Sequence, residues 1–131
     1  MKAQIIVNKE NKEIICTEFG KGKQHDFKIF KKTNTVIEPG IELQGDRGYQ
    51  GVVKFHSNSK TPVKKLKKKA LSKEDKAFNR DLSSSRVVIE HVIGRLKVFR
   101  ILSERYRNRR KRFNLRLNLI AGIYNYELNL N

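Results

Sequence analysis

Two short runs of β-branched residues open the chain. Ile5, Ile6 and Val7 stand together within 3–8, and after the polar stretch Lys9-Glu10-Asn11-Lys12 comes Ile14-Ile15-Cys16-Thr17. Two such runs joined by a short polar link predict a β-hairpin. Gly20 and Gly22 end its second strand, and Asp26 is placed to cap a short helix through Phe27, Ile29 and Phe30. Pro39-Gly40 signals a turn before a strand over 41–45 that delivers Asp46 at its end.

The second half of the chain follows a helical period. Ser72 with Asp75 three residues on has the pattern of a capping box. Leu82, Ile89, Val92, Ile93, Leu96 and Phe99 then recur at helical spacing, predicting one long helix over about 73–102. A further helix over about 111–129 places Phe113, Leu117, Ile120, Ala121, Tyr124 and Leu128 on one face. Both helices need a sheet to cover. The order strand, strand, helix, strand, loop, helix, helix gives an α/β fold class. With 131 residues, 37% of them hydrophobic, there is material for one modest core, hence one domain or a large piece of one.

Charge adds a partner to this picture. Thirty Lys and Arg against 13 Asp and Glu give a formal net charge of +17, and such a field binds polyanions by releasing their counterions. Nucleic acid is the expected partner. The cations concentrate in a lysine-rich loop over about 56–70, equally readable as solvated or DNA-facing, and in Arg105, Arg107, Arg109, Arg110, Lys111 and Arg112, where contact with a DNA backbone is the better reading. No run approaches the roughly 20 apolar residues that span a bilayer, and no signal peptide opens the chain, so no membrane association and a cytoplasmic location are expected.

Other chemistries find little support. The single Cys16 can form no internal disulfide and reads as a small hydrophobe. His25 and His56 lack partners at metal-ligand spacing, which argues against zinc, and His91 points about 100° away from its neighbour Glu90 on a helix. Tyr106, Tyr124 and Tyr126 are assigned to packing rather than to base stacking. There is no Gly-rich phosphate loop, Ser-His-Asp order or CxxC pair.

Two acids have a suggestive setting. With Arg86 as origin on a continuous helix, Glu90 falls at about 40° and Lys97 at about 20°, one stripe on the shoulder of the buried face. Asp46 lies at the carboxyl end of a strand, where α/β folds place ligands. Two carboxylates there suit Mg²⁺ or Mn²⁺, and a pair of ions about 4 Å apart can activate an oxygen nucleophile and stabilise the leaving oxygen at a phosphodiester. Spacing by itself leaves this open, because acids are abundant on helices and Asp near Gly is a common turn.

The motifs around these acids resemble those of a known family. Gly45-Asp46-Arg47-Gly48-Tyr49-Gln50-Gly51 is similar to the Asp-x-Gly-Tyr motif of bacterial insertion-sequence transposases of the Asp-Asp-Glu (DDE) type. Arg86-Val87-Val88-Ile89-Glu90, with Lys97 following, matches the Arg-x3-Glu-x6-Lys part of their Tyr-Arg-Glu-Lys signature. His25-Asp26-Phe27, the basic run over 105–113 and Asn118-Leu119-Ile120-Ala121-Gly122-Ile123-Tyr124-Asn125 also resemble members, so the likeness covers about 3–128.

The resemblance implies a ribonuclease-H-like core and an enzyme that cuts and joins DNA at insertion-sequence ends with two metal ions. Carried over by residue, Asp46 is the second metal ligand, Glu90 the third, and Arg86 and Lys97 the cationic partners that contact DNA or orient the acids. Ser83 stands where the signature has tyrosine. The family's first aspartate lies on a strand ahead of Ala3, so 1–131 is expected to be a partial catalytic domain lacking its first strand and inactive alone. An upstream polypeptide supplying that aspartate and assembly of copies on DNA are the partners this reading leaves open. The competing class is a small basic nucleic-acid-binding protein without catalysis.

Overall fold

The computed structural model describes residues 2–32, 37–99 and 110–130. Among the described residues it is an α/β structure with two two-stranded sheets, and it groups into two compact units, Met1–Thr33 with Val88–Asn131, and Asn34–Val87. The length suggested one domain.

In the first unit the predicted hairpin forms from β1 (Lys2–Val7) and β2 (Ile14–Gly20), paired antiparallel with Lys2 opposite Gly20 and Ile6 opposite Cys16. The register shifts between Ile6 and Val7, which pairs with Ile14, so Ile15 bulges out and is exposed. The hairpin turn places Lys12 at φ 65°, a left-handed conformation that is strained for lysine. Helix α1 (Asp26–Lys32) follows, and its Ile29 is fully buried against Gly20, where a Cβ would come within 2.8 Å of Ile29 Cγ1. Asp26 does not act as an outside cap. It is the first residue of α1, and its carboxylate pairs with Lys2 Nζ at 3.0 Å, so an ion pair to β1 takes the place of capping.

The long helix expected over 73–102 is broken. Helix α2 (Lys73–Ser85), in the second unit, ends at Arg86, whose φ −86° and ψ 0° leave the helical well, and α3 (Val87–Leu96) starts afresh. Ser83, Ser84 and Ser85 precede the break, and serine side chains compete for backbone groups. The predicted stripe is accordingly interrupted: Leu82, Val92 and Leu96 are buried, Ile89 is half-buried, and Ile93 and Phe99 are exposed. The Ser72 cap does form, its Oγ accepting from Asp75 N at 3.0 Å.

Helix α4 (Arg110–Leu128) closes the first unit. Its predicted face is buried through Phe113, Leu117, Ile120, Ala121 and Tyr124, and the last three join Ile14, Val92 and Leu96 in one cluster against which Ile5, Val7 and Leu128 pack. Tyr126, assigned to packing from its spacing, is exposed instead, in a row with Leu115, Leu119 and Ile123 on the opposite face.

A polar seam runs beside the buried face. At about 100° per residue Asn118, Asn125 and Asn129 fall within about 40° of each other, and each reaches β2 or the turn before it. Thr17 Oγ1 donates to Asn118 Oδ1, and Asn129 Nδ2 donates to Glu13 Oε1 at 2.9 Å. Asn125 takes both backbone groups of Ile14, accepting from its N at 2.8 Å and donating to its O at 2.9 Å. Tyr124 OH donates to Lys12 O at 3.0 Å, holding the strained turn.

These contacts rank the residues of α4. Asn125→Ala leaves a buried strand donor and acceptor unmatched and is expected to cost about 1–3 kcal/mol. Leu117→Ala should cost about 2–5 kcal/mol, and Leu119→Ala, on the exposed face, less than about 0.5 kcal/mol. Urea midpoints of the three variants check this order.

Tyr124 also gives a pH dependence. Burial pushes its phenol above the ordinary value of 10.0, and the nearby Arg95 guanidinium, 5.5 Å from the ring centre, pulls partly back. An acid whose folded pKa exceeds its unfolded one stabilises fully below the unfolded value and loses that contribution as pH rises through the folded one. Stability is therefore expected to be flat on this account below about pH 10 and to fall above it. Tyr124→Phe should flatten the alkaline fall in melting temperature while lowering it at neutral pH.

Candidate active site

The sheet of the second unit is minimal. β3 (Leu43–Gln44) and β4 (Ser59–Lys60) pair in parallel, extended by Leu43 N donating to Asn58 O at 2.9 Å and Gly45 N to Lys60 O at 3.0 Å. A strand of the expected 41–45 extent is not formed, and β4 lies inside what reads as a lysine-rich loop over 56–70. Buried His56 takes the backbone at the start of this region, its Nε2 hydrogen-bonding Ile41 O at 2.6 Å. Lys60 Nζ pairs with Glu42 at 3.3 Å, so one lysine of the run is used within the fold.

Asp46 follows β3 and caps the 3₁₀ turn Arg47–Tyr49, its Oδ1 accepting from Gly48 N at 2.9 Å. Gly45 is required beside it because a Cβ there would stand 2.9 Å from Tyr49 Cβ. The motif Gly45-Asp46-Arg47-Gly48-Tyr49 is thus a self-contained turn: glycine admits the tyrosine, and the aspartate fixes the backbone. The Asp46 side chain is exposed, and its second oxygen takes no donor among the described residues.

The position of this turn is set from α2. Ser85 Oγ donates to Gln44 Oε1 at 3.0 Å, tying the strand before Asp46 to the last turn of α2. Asn79 holds Val63 through both backbone groups, at 2.7 and 3.2 Å, and so fastens the segment after β4 to the same helix. The reading of the sequence missed Gln44, Asn79 and Ser85. Polar side chains that join distant segments leave no periodic signal.

The remaining predicted residues are distributed as follows. Arg86 is the break residue between α2 and α3, and its Nε is buried with no acceptor among the described residues. Glu90 lies in the first turn of α3 and is exposed rather than on a buried shoulder, because within α3 it stands about 120° or more around the helix from the buried Val92 and Leu96. Lys97, one residue past α3, is exposed, so it does not share an unbroken helix with Arg86. Asp46 and Arg86 belong to the second unit, Glu90 and Lys97 to the first. Arg105, Arg107 and Arg109 lie outside the described residues, Arg110 and Lys111 begin α4, and Arg112 is exposed on it.

Among the described residues no three His, Cys, Asp or Glu side chains converge as a metal group. The donor types at Asp46 and Glu90 nonetheless suit a hard divalent cation, which prefers oxygen ligands. No helix of the described residues is long and apolar enough to cross a membrane.

The comparisons with known proteins show the class to which this basic chain belongs. The family described as DDE superfamily endonuclease matches residues 1–125. The chain belongs to this family, among the bacterial insertion-sequence transposases. It is 51% identical over 130 residues to a protein of Microchaete diplosiphon named probable transposase for insertion sequence element IS702. That alignment covers 99% of this chain and 47% of the relative, so the chain spans about half of the relative's length. No solved structure matches it.

The Asp46 turn can be tested for its structural part alone. Asp46→Ala removes the acceptor for Gly48 N and is expected to destabilise by about 1 kcal/mol, whereas Asp46→Asn keeps a carbonyl oxygen there and should cost only a few tenths. Hydrogen exchange at the Gly48 amide distinguishes the two.

Proposed function

We propose that these residues are the later part of a ribonuclease-H-like transposase core, in which Asp46 and Glu90 are the second and third carboxylates of the DDE set. The observation that carries this reading is the match of the DDE endonuclease family across 1–125, which includes both acids and their neighbours. The complete enzyme cuts and joins DNA phosphodiesters at insertion-sequence ends. Its first aspartate lies on a strand that these 131 residues do not include.

Asp46 and Glu90 would hold Mg²⁺ or Mn²⁺, two ions in the complete enzyme, and bound metal supplies a deprotonated oxygen nucleophile and charge stabilisation at the phosphodiester. The protein's own part is positioning. The Gly48 amide holds one oxygen of Asp46 and leaves the other for a ligand. Arg86 carries a buried Nε with no acceptor among the described residues, which supports a role in orienting a carboxylate or a phosphate, since such a donor is costly to leave unmatched. Lys97 and the cations over 105–112 would neutralise the DNA backbone. A homo-oligomer on DNA and a separate chain supplying the first aspartate are both compatible with this arrangement.

The test uses charge removal that spares the turn. Mn²⁺ binding, read by electron paramagnetic resonance of free ion, should weaken about ten-fold or more in Asp46→Asn and in Glu90→Gln, with unchanged circular dichroism, because each removes an anionic ligand. The 131 residues alone should show no strand cleavage, and a longer chain that adds the strand-borne aspartate should cleave. Unaltered Mn²⁺ binding in both variants would leave a basic DNA-binding module and refute the assignment of the two acids.

A further inference from the structure

Beyond the two acids and the basic run, the first unit carries a second concentration of positive charge that no motif assigns. Where β2 ends and α1 begins, a cleft of about 700 Å³ is lined by Glu18, Lys21, Lys23, His25, Lys28 and Lys32, among others. Lys28 and Lys32 are one helical turn apart on α1, and Lys21 and Lys23 stand on the loop that leads into it. Four lysines therefore line one open space.

The acids of the neighbourhood do not cancel them. Glu18 is the one acid in the lining, and its Oε1 accepts from Phe19 N at 3.0 Å. Asp26 is taken by Lys2 at 3.0 Å. Lys21, Lys23 and Lys28 make no ion pair among the described residues, and Lys32 makes only a 3.5 Å contact to Gln24 Oε1. Like charges held this close repel unless an anion separates them.

We propose that this cleft docks the backbone phosphates of duplex DNA. The lining supplies ammonium groups, which act as point charges on phosphate, and no guanidinium, the group suited to bidentate reading of base edges. Of the two rings in the lining, Phe19 already packs on Phe113 at 5.9 Å between centroids, which leaves His25 alone as a ring open to a base, fewer than a single-strand stacking platform uses. Contact here is thus to the duplex backbone and independent of sequence. The cleft is held in shape by its floor: Gly20 sits against Ile29, and Lys2 Nζ donates to Gln24 O at 3.0 Å. The inference rests on the family's DNA partner but on none of its metal chemistry.

The experiment is fluorescence anisotropy of a labelled duplex across a salt series, in chelator, with the whole chain. Lys21→Gln, Lys23→Gln and Lys28→Gln combined should lower the slope of log affinity against log salt by about 2–3, since each phosphate neutralised contributes about 0.9. A control removes Lys9 and Lys12, at the other end of the hairpin, as Lys9→Gln with Lys12→Asn, asparagine tolerating the left-handed turn. This pair should change the slope by less than about 0.5.

An unchanged slope in the cleft variant, an equal loss per charge in the control, or no binding of duplex by the unaltered chain would overturn the proposal. Circular dichroism confirms that the exposed substitutions leave the fold intact. Because chelator is present throughout, loss of Mn²⁺ binding or of cleavage in the other test has no bearing on this result.

Discussion

Almost everything in the first unit depends on α4 lying along the edge of a two-stranded hairpin. A hairpin of two strands is at best marginal in water, so β1 and β2 persist only because a helix covers one face. The cover is both apolar and polar. Ile14, Val92, Leu96, Ile120 and Tyr124 exclude water, and in the asparagine row beside them Asn125 meets both backbone groups of Ile14. Asn125 acts as a short piece of artificial strand, offering an acceptor and a donor to Ile14 at the point where the bulge at Ile15 interrupts the ladder. An apolar side chain at that position would pack but would leave the edge unsatisfied.

The second unit solves the same problem with less. Two residues per strand cannot make a sheet that stands alone, and side chains from α2 supply the missing constraints through Ser85 and Asn79. The acid-bearing turn is therefore rigid for local reasons, the Asp46 cap and the Gly45–Tyr49 contact, and is located by one longer hydrogen bond from Gln44.

What was readable in the sequence followed how local the cause was. The hairpin, the Ser72 cap and the buried face of α4 each come from residues a few positions apart, so period and capping chemistry suffice. The break at Arg86 was not readable, because no proline or glycine marks it and the apolar period runs on across it. Counting Ile93 into the buried stripe is what put Glu90 on its shoulder; α3 buries Val92 and Leu96 instead and leaves Ile93 and Glu90 exposed. The pairing of β3 with β4, the Gln44 to Ser85 bond and the lysines of the β2–α1 cleft depend on segments brought together only by folding. For the site, the motif around Asp46 and Glu90 supplied the assignment, and spacing alone did not.

Helix α4 has one more property that bears on handling the molecule. Its outward row of Leu115, Leu119, Ile123 and Tyr126 makes it apolar on two opposite faces, and the chain's positive charge is what opposes contact between copies there. That repulsion has a range of about 10 Å at 0.1 M salt and about 3 Å at 1 M. Concentrated salt, the usual means of stripping nucleic acid from so basic a protein, removes the same barrier and strengthens apolar contact. Purity from DNA and colloidal stability thus pull in opposite directions, and arginine or a mild non-ionic detergent is a better companion to the stripping step than salt alone.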